Sequence, residues 1–444
     1  MTIVSDPAPD PGGAVIGIDF GTTNTVVARL DASKEARLVS FEGPPGPLAP
    51  FRSALSFHGD ERDPARRVIA AGPWAIEAYV EEPLETRFIQ SFKSYAASPL
   101  FHETRILGRR YEFEDLLSTF LLRLKTHGDS DLAPAGATCI VGRPVAFSGL
   151  RPDPALALRR YEAAFRRLGF GAVRYAYEPV AAAFFFARQL QSDATVMVGD
   201  FGGGTSDFSI MRFERRAGAL HAAALANAGV GVAGDAFDYR IIDNLVSPTL
   251  GKGSSYRAFD NVLPIPNRYY TAFARWEQLA LMRASKDMRD IRGLTRSALE
   301  PAKLTALVDV LDNNQGYQLY QAVSGLKEGL SDHDVAPFRF QAGAVEIARD
   351  VPRREFESWI APELTAIAGA IDEALARAHL TSADLDRVFL TGGSSFVPAV
   401  RRLFIDRFGP GKIEGGGELV SIASGLAYIG AEADLDAWSE TAGA

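Results

Sequence analysis

Only one cysteine, Cys139, occurs in 444 residues, so an internal disulfide framework is excluded and a reducing compartment is expected. Its neighbours, TCIVGRP at 138–144, read as a buried strand, which makes it a core thiol rather than a reactive one. The six histidines stand at 58, 102, 127, 221, 333 and 379. No two are at metal-ligand spacing, so a zinc site is not expected. Long apolar runs are missing too: VAAAFFFA at 180–187 stops at Arg188, far short of the roughly 20 residues that cross a bilayer. Lys and Arg are not gathered into blocks and the net charge is -8, which disfavours nucleic acid and anionic membranes as partners. The opening MTIVSDPAPDPGGA has neither a basic start nor an apolar core, so it reads as a flexible lead-in over 1–14 rather than a signal peptide. A cytoplasmic location is the expectation.

What is present is an ordinary globular balance, 47% hydrophobic and 23% charged, in a chain long enough for two or three domains. VIGIDFGTTNTVVARL (15–30) places an apolar run before a Gly/Thr turn and a β-branched run after it, predicting a strand, a tight loop and a second strand. TVMVGDFGGGTSDFSIMRF (195–213) repeats that order, so the chain contains a duplicated hairpin. Between the copies, residues 138–190 alternate strand and helix, the mark of helices packed on a sheet. Pro179 at the start of a helix puts Glu178 at the mouth of a strand-to-helix turn. Residues 240–325 read as an extra, mostly helical insertion. Phe356, Trp359, Ile360, Leu364, Ile367, Ile371 and Leu375 predict one amphipathic helix over 353–379, bent at Pro362. RVFL (387–390) then enters a third glycine turn, TGGSSFVP (391–398), and a helix. A small-residue helix, VSIASGLAYIG (420–430), and a short acidic tail follow.

Glycine turns with Thr or Ser let backbone N–H groups and hydroxyls approach phosphate oxygens. Asp19 and Asp200 precede the two turns at equivalent places, and carboxylates facing one another need a cation between them. Magnesium, which takes few protein ligands when phosphates supply the rest, suits that position. Neither hairpin has the Gly-Lys-Ser/Thr of a P-loop or a GxGxxG opening a helix.

GIDFGTTNT (17–25), YEPVAAA (177–183), VGDFGGGTSDFSI (198–210) and FLTGGSSFVP (389–398) resemble the ATPase domain of the seventy-kilodalton heat-shock (DnaK-type) chaperones, over about residues 15–430. IVGRPVAF (140–147) and SFKSY (91–95) look most like the truncated bacterial relatives that keep only this domain. The resemblance implies an actin-like α/β fold: lobe I at 15–190, lobe II at 191–417 with the insertion, a helix at 418–430 returning to lobe I, a tail at 431–444, and ATP held between the lobes. It also implies roles for matching positions. Asp19 and Asp200 would hold hydrated Mg2+, while Gly21, Thr22, Thr23, Gly202, Gly203, Gly204 and Thr205 would grip the phosphates of ATP or ADP. Lys93, Glu178 and Asp207 would order the attacking water, so that Lys93, Glu178, Asp200, Thr205 and Asp207 form the catalytic set. Lys327 and Ser331 would reach the nucleoside, Gly234 would line the cleft, and Gly392, Gly393 and Ser394 would cover the other face.

There are departures. Where the chaperones sandwich adenine between arginines, this chain has Glu328 and Phe396, and where they offer a glutamate to the ribose it has Ser324. An aromatic ring at Phe396 can stack on the base instead. The chaperones continue into a peptide-binding half, whereas here AEADLDAWSETAGA (431–444) follows, so peptide clamping is not expected and the 240–325 insertion becomes the expected partner surface. The functions compatible with this reading are a magnesium-dependent ATPase switch, a non-hydrolysing nucleotide-bound scaffold, and a small-molecule kinase on the same fold.

Overall fold

The computed structural model describes residues 14–442 except 44–45, 61–62, 83–84, 129–131, 133–135, 150, 217–218, 274–281, 283–284, 314, 344 and 418–419. The lead-in expected at 1–14 thus lies, but for Ala14, outside the described residues. They form two compact units. One runs through Val232 and resumes at Ile367–Ser395 and from Phe404; the other comprises Ala233–Ala366 and Phe396–Leu403. The lobe boundary expected near 190 falls inside the first unit.

That unit holds two sheets built to one plan. Five strands of the first are β1 (Val15–Phe20), β2 (Asn24–Leu30), β3 (Ala36–Leu38), β4 (Thr138–Arg143) and β5 (Ala172–Tyr177), in the order β3-β2-β1-β4-β5, and a sixth, Phe51–Arg52, pairs with β2 off this path. Those of the second are β6 (Ala194–Phe201), β7 (Ser206–Arg216), β8 (Ala219–Val230), β9 (Arg387–Thr391) and β10 (Ile413–Glu414), in the order β8-β7-β6-β9-β10. In each sheet the first three strands are antiparallel and the last two join in parallel. The duplication read from Asp-Phe-Gly therefore extends over a whole sheet, and the mixed sheets with flanking helices are the actin-like fold the resemblance implies.

β4 and β6 are buried along their full length, because helices cover faces that an antiparallel hairpin would leave wet. α1 (Pro154–Arg166) starts at Asp153, whose carboxylate accepts from the Leu156 amide, with Pro154 in the first turn where no N–H is required. α2 (Glu178–Ala187) has nine of its ten residues buried, the composition of a helix enclosed on every side. With the later helix Ser421–Ile429 it shares one apolar cluster with residues from both sheets, including Ile140, Ala176, Val196, Val198 and Phe389. Phe186 of α2 stacks on Phe389 with centroids 4.2 Å apart.

The second unit contains α3 (Gly234–Ile241), α4 (Gly316–Asp332) and α5 (Arg353–Trp359). α4 buries Leu319, Val323, Leu326 and Leu330, one face at helical spacing. The insertion is not wholly helical: Ser255–Ala258 and Asn261–Pro264 form a hairpin. A longer hairpin, Val335–Ala342 with Val345–Pro352, alternates exposed and buried residues. The single helix expected over 353–379 is two, α5 and α6 (Ala361–Arg377), parted at Ile360. Pro362 lacks the N–H that a continuous helix would use there, so it occupies the first turn of a new helix instead of bending an old one. α7 (Pro398–Phe408) follows the third glycine turn, and α8 (Ser421–Ile429) closes on β1 and β2.

Candidate phosphate and metal site

Both hairpin turns close in the same way. The Gly21 amide donates to the Asn24 carbonyl and the Gly202 amide to the Thr205 carbonyl, each at 3.0 Å. A side chain on Gly21 would lie 2.3 Å from the Asn24 oxygen, so only glycine fits that tip. The two tips approach one another: the position a Gly204 side chain would take is 3.9 Å from the Thr22 hydroxyl. The third turn arrives beside the second, because Thr391 of β9 is paired with Asp200 of β6. Gly392 has φ +82, and a Cβ there would fall 2.1 Å from the Phe201 carbonyl oxygen. Gly393 follows it and Ser394 is buried.

Behind the tips, Lys93 and Glu178 form a nearly dry ion pair, Nζ to Oε1 2.7 Å, with side chains 10% and 5% exposed. Lys93 comes from the short 3-10 segment Phe92–Tyr95, and Glu178 opens α2 where a carboxylate suits the helix dipole. Gly142 makes room for it, since a Cβ there would meet Glu178 Cγ at 3.0 Å. Asp207 is fully buried, and its Oδ1 accepts from the amides of Val145 (2.8 Å) and Ala146 (3.0 Å). Gly229 must lack a side chain for that carboxylate to fit. Asp207 Oδ2 is buried without a hydrogen-bond partner.

The electrostatics are those of too many carboxylates for one ammonium. Desolvation, then the charge of Glu178, push Asp19 up to about 7, with Lys93 pulling the other way. Asp207 is pushed up to about 7 by desolvation and Glu178, against the Thr205 hydroxyl, the Ala146 amide and Lys93. Asp200 is raised well above the ordinary range by desolvation and by Glu178, Asp19 and Asp207. Burial would lower Lys93, but Glu178 and its neighbours raise it overall. A cation beside Asp19 and Asp200 would offset these upward carboxylate shifts. Among the described residues no three His, Cys, Asp or Glu side chains are grouped as a ligand set. The donors therefore fit an ion completed by water and phosphate oxygens, such as magnesium, rather than one caged by protein.

The structure brings Lys93, Glu178, Asp19, Asp200 and Asp207 together, with Gly21 to Thr23 and Gly202 to Thr205 at the tips. Gly392, Gly393 and Ser394 belong to the same unit, whereas Gly234, Lys327, Ser331 and Phe396 belong to the other. Gly234 is the buried first residue of α3. Lys327 of α4 is engaged, Nζ to Asp238 Oδ1 2.7 Å, and the Ser331 hydroxyl donates to the Lys327 carbonyl at 3.1 Å. Phe396 is 51% exposed, so it is not the core phenylalanine that its residue type alone suggests. The sequence reading missed Asp238 and the Val145 and Ala146 amides; a backbone amide leaves no signal in residue type.

The duplicated sheet and the paired glycine turns around acidic residues define a protein of the actin-like ATPase class. A model of the family described as "Hsp70 protein" matches residues 90–254 and 293–430. The chain belongs to that family. It is 24% identical over 416 residues to the chaperone protein DnaK of Deinococcus deserti, and 25% over 413 residues to that of Deinococcus radiodurans. Each alignment covers 89% of this chain and 55% of the relative, so the chain spans about half the length of the curated relatives it matches. No helix among the described residues is long and apolar enough to cross a membrane.

Proposed function

We propose that this protein binds ATP with magnesium and hydrolyses it slowly, as a cytoplasmic nucleotide-driven switch. The observation that carries this reading is the convergence of two equivalent glycine turns on a carboxylate cluster whose excess negative charge calls for a cation. Family membership supports it. The likeness to relatives consisting of this domain alone rests on IVGRPVAF and SFKSY. The 240–325 insertion, with its own hairpin and helices, is the surface we assign to a protein partner.

Magnesium, held at Asp19 and Asp200 through its waters, would supply neutralisation of phosphate charge. The chain's own groups do the rest. Amides of Thr22, Thr23, Gly203 and Gly204 and hydroxyls of Thr22, Thr23 and Thr205 donate to phosphate oxygens, while the Gly21 and Gly202 amides hold the turns closed. The Lys93 ammonium, oriented by Glu178, donates to the terminal phosphate. Asp207, fixed through Oδ1, offers its free Oδ2 to orient a water in line. Phosphoryl transfer needs positioning and neutralisation more than covalent help, and these residue types supply both. A nucleoside role for Lys327 requires its ammonium to be shared with Asp238.

The test is incubation of purified protein with ATP, with and without magnesium, followed by assay of free phosphate. Magnesium-dependent release supports the ATPase reading. Tight binding without release favours the scaffold, and release of ADP only when a metabolite is added favours a kinase. Phe396→Ala is expected to weaken ATP binding by about 1 to 3 kcal/mol if the ring stacks on the base. The urea midpoint should barely move, because the side chain is already half in water. Unchanged nucleotide affinity by calorimetry would remove Phe396 from the site.

A further inference from the structure

The segment following α8 folds back on the first sheet. Tyr175 of β5 and Glu440 exchange both backbone hydrogen bonds, each 2.9 Å, as an antiparallel bridge. Arg174 donates from Nε to the Ser439 hydroxyl at 2.7 Å and from Nη2 to the Ser439 carbonyl at 2.9 Å, and it also pairs with Asp436. The Trp438 ring meets Phe184 of α2 edge-on, with centroids 5.0 Å apart. β5 is an edge strand, so these residues cover part of a ladder that would otherwise be open.

The same segment delivers a charge inward. The Glu440 carboxylate pairs with Arg143, the last residue of β4, whose side chain is only 7% exposed. The Arg143 guanidinium lies over the Tyr177 ring at 4.8 Å and over the Phe147 ring at 5.6 Å. Tyr177 immediately precedes Glu178. Phe147 immediately follows Val145 and Ala146, whose amides seat Asp207. One buried cation is thus clamped between the two backbone segments that carry Glu178 and fix Asp207. Its carboxylate comes from 297 residues further along the chain.

We infer that Glu440, acting through Arg143, is a positioning residue for the phosphate site, so that lifting the segment 435–440 from β5 loosens Asp207 and Glu178 together. The pair is dry on the Arg143 side only, Glu440 being 37% exposed, so loss of the carboxylate leaves a buried guanidinium without its counter-charge. It relaxes toward water, and the rings on either side of it follow. The consequence for turnover rests on the proposed ATPase function; the mechanical link does not.

The experiment therefore reads both. In the full chain without nucleotide, Glu440→Gln should speed amide hydrogen exchange at Val145 and Ala146 by about tenfold or more while leaving α8 unchanged, the pattern of local rather than global opening. With ATP and magnesium the same variant should show a several-fold lower kcat at unchanged KM, and Glu440→Asp should recover part of it. Unaltered exchange at Val145 and Ala146, or uniform acceleration across both sheets, would reduce the segment to a cap on the sheet edge and overturn the inference. If the unmodified protein releases no phosphate, the ATPase reading fails, while the exchange comparison still decides the link.

Discussion

Asp200→Asn is expected to lower magnesium-dependent phosphate release by about a hundredfold or more, the several kcal/mol of a charged contact to a catalytic metal. The substitution keeps the shape of a side chain at the end of β6 that is only 4% exposed and removes only its charge. Stability should move in the opposite direction. A carboxylate whose pKa is raised in the folded state costs nothing below its unfolded pKa, and its penalty is complete once pH exceeds the folded value. Asp200 is such a group, through desolvation and the charges of Glu178, Asp19 and Asp207. The nucleotide-free variant should therefore melt no lower than the unmodified protein at alkaline pH. Phosphate assays and thermal melts on one preparation test both halves. Full activity would remove Asp200 from the metal site, and joint loss of activity and folding would make it a structural residue.

Gly425→Ala is expected to destabilise the fold by about 3 kcal/mol or more, the upper end of the overpacking range. Helix propensity argues the other way, since alanine in a helix interior gains about 1 kcal/mol over glycine. Geometry decides between them. A Cβ on Gly425 of α8 would lie 1.7 Å from the Ala181 carbonyl oxygen and 2.4 Å from its carbon, and backbone in α2 cannot swing aside as a side-chain tip can. The helices would have to separate, opening the apolar cluster they share with both sheets. A urea midpoint equal to or above that of the unmodified protein would contradict so close a crossing.

Much of this arrangement was legible in the sequence. The Asp-Phe-Gly repeat disclosed the duplication because glycine at a hairpin tip, a preceding carboxylate and flanking apolar runs are all fixed by residue type. Pro179 located Glu178 for the same reason. The extension of the duplication to whole sheets was less visible: β8 reads ALHAAALANAGV, an alanine-rich run that propensity assigns to a helix, yet tertiary pairing with β7 makes it a strand. The Val335–Ala342 strand carries a two-residue alternation of burial in a stretch for which no element was expected. The seat of Asp207 was not legible, since it is made of two amides and a missing side chain at Gly229, contributed by segments 62 and 61 residues away from Asp207 in the first case and by its partner strand in the second.

One of the differences between the two hairpins gives the site a front and a back. Opposite Asp19 in the first stands Val26, whereas opposite Asp200 in the second stands Asp207. Val26 is buried with Ala28, Ala423 and Ala427 and has nothing to offer a proton. Two identical cradles would treat both ends of a bound polyanion alike. Here the second hairpin carries a carboxylate that the first lacks, so the two ends of a bound polyanion would meet unlike surroundings.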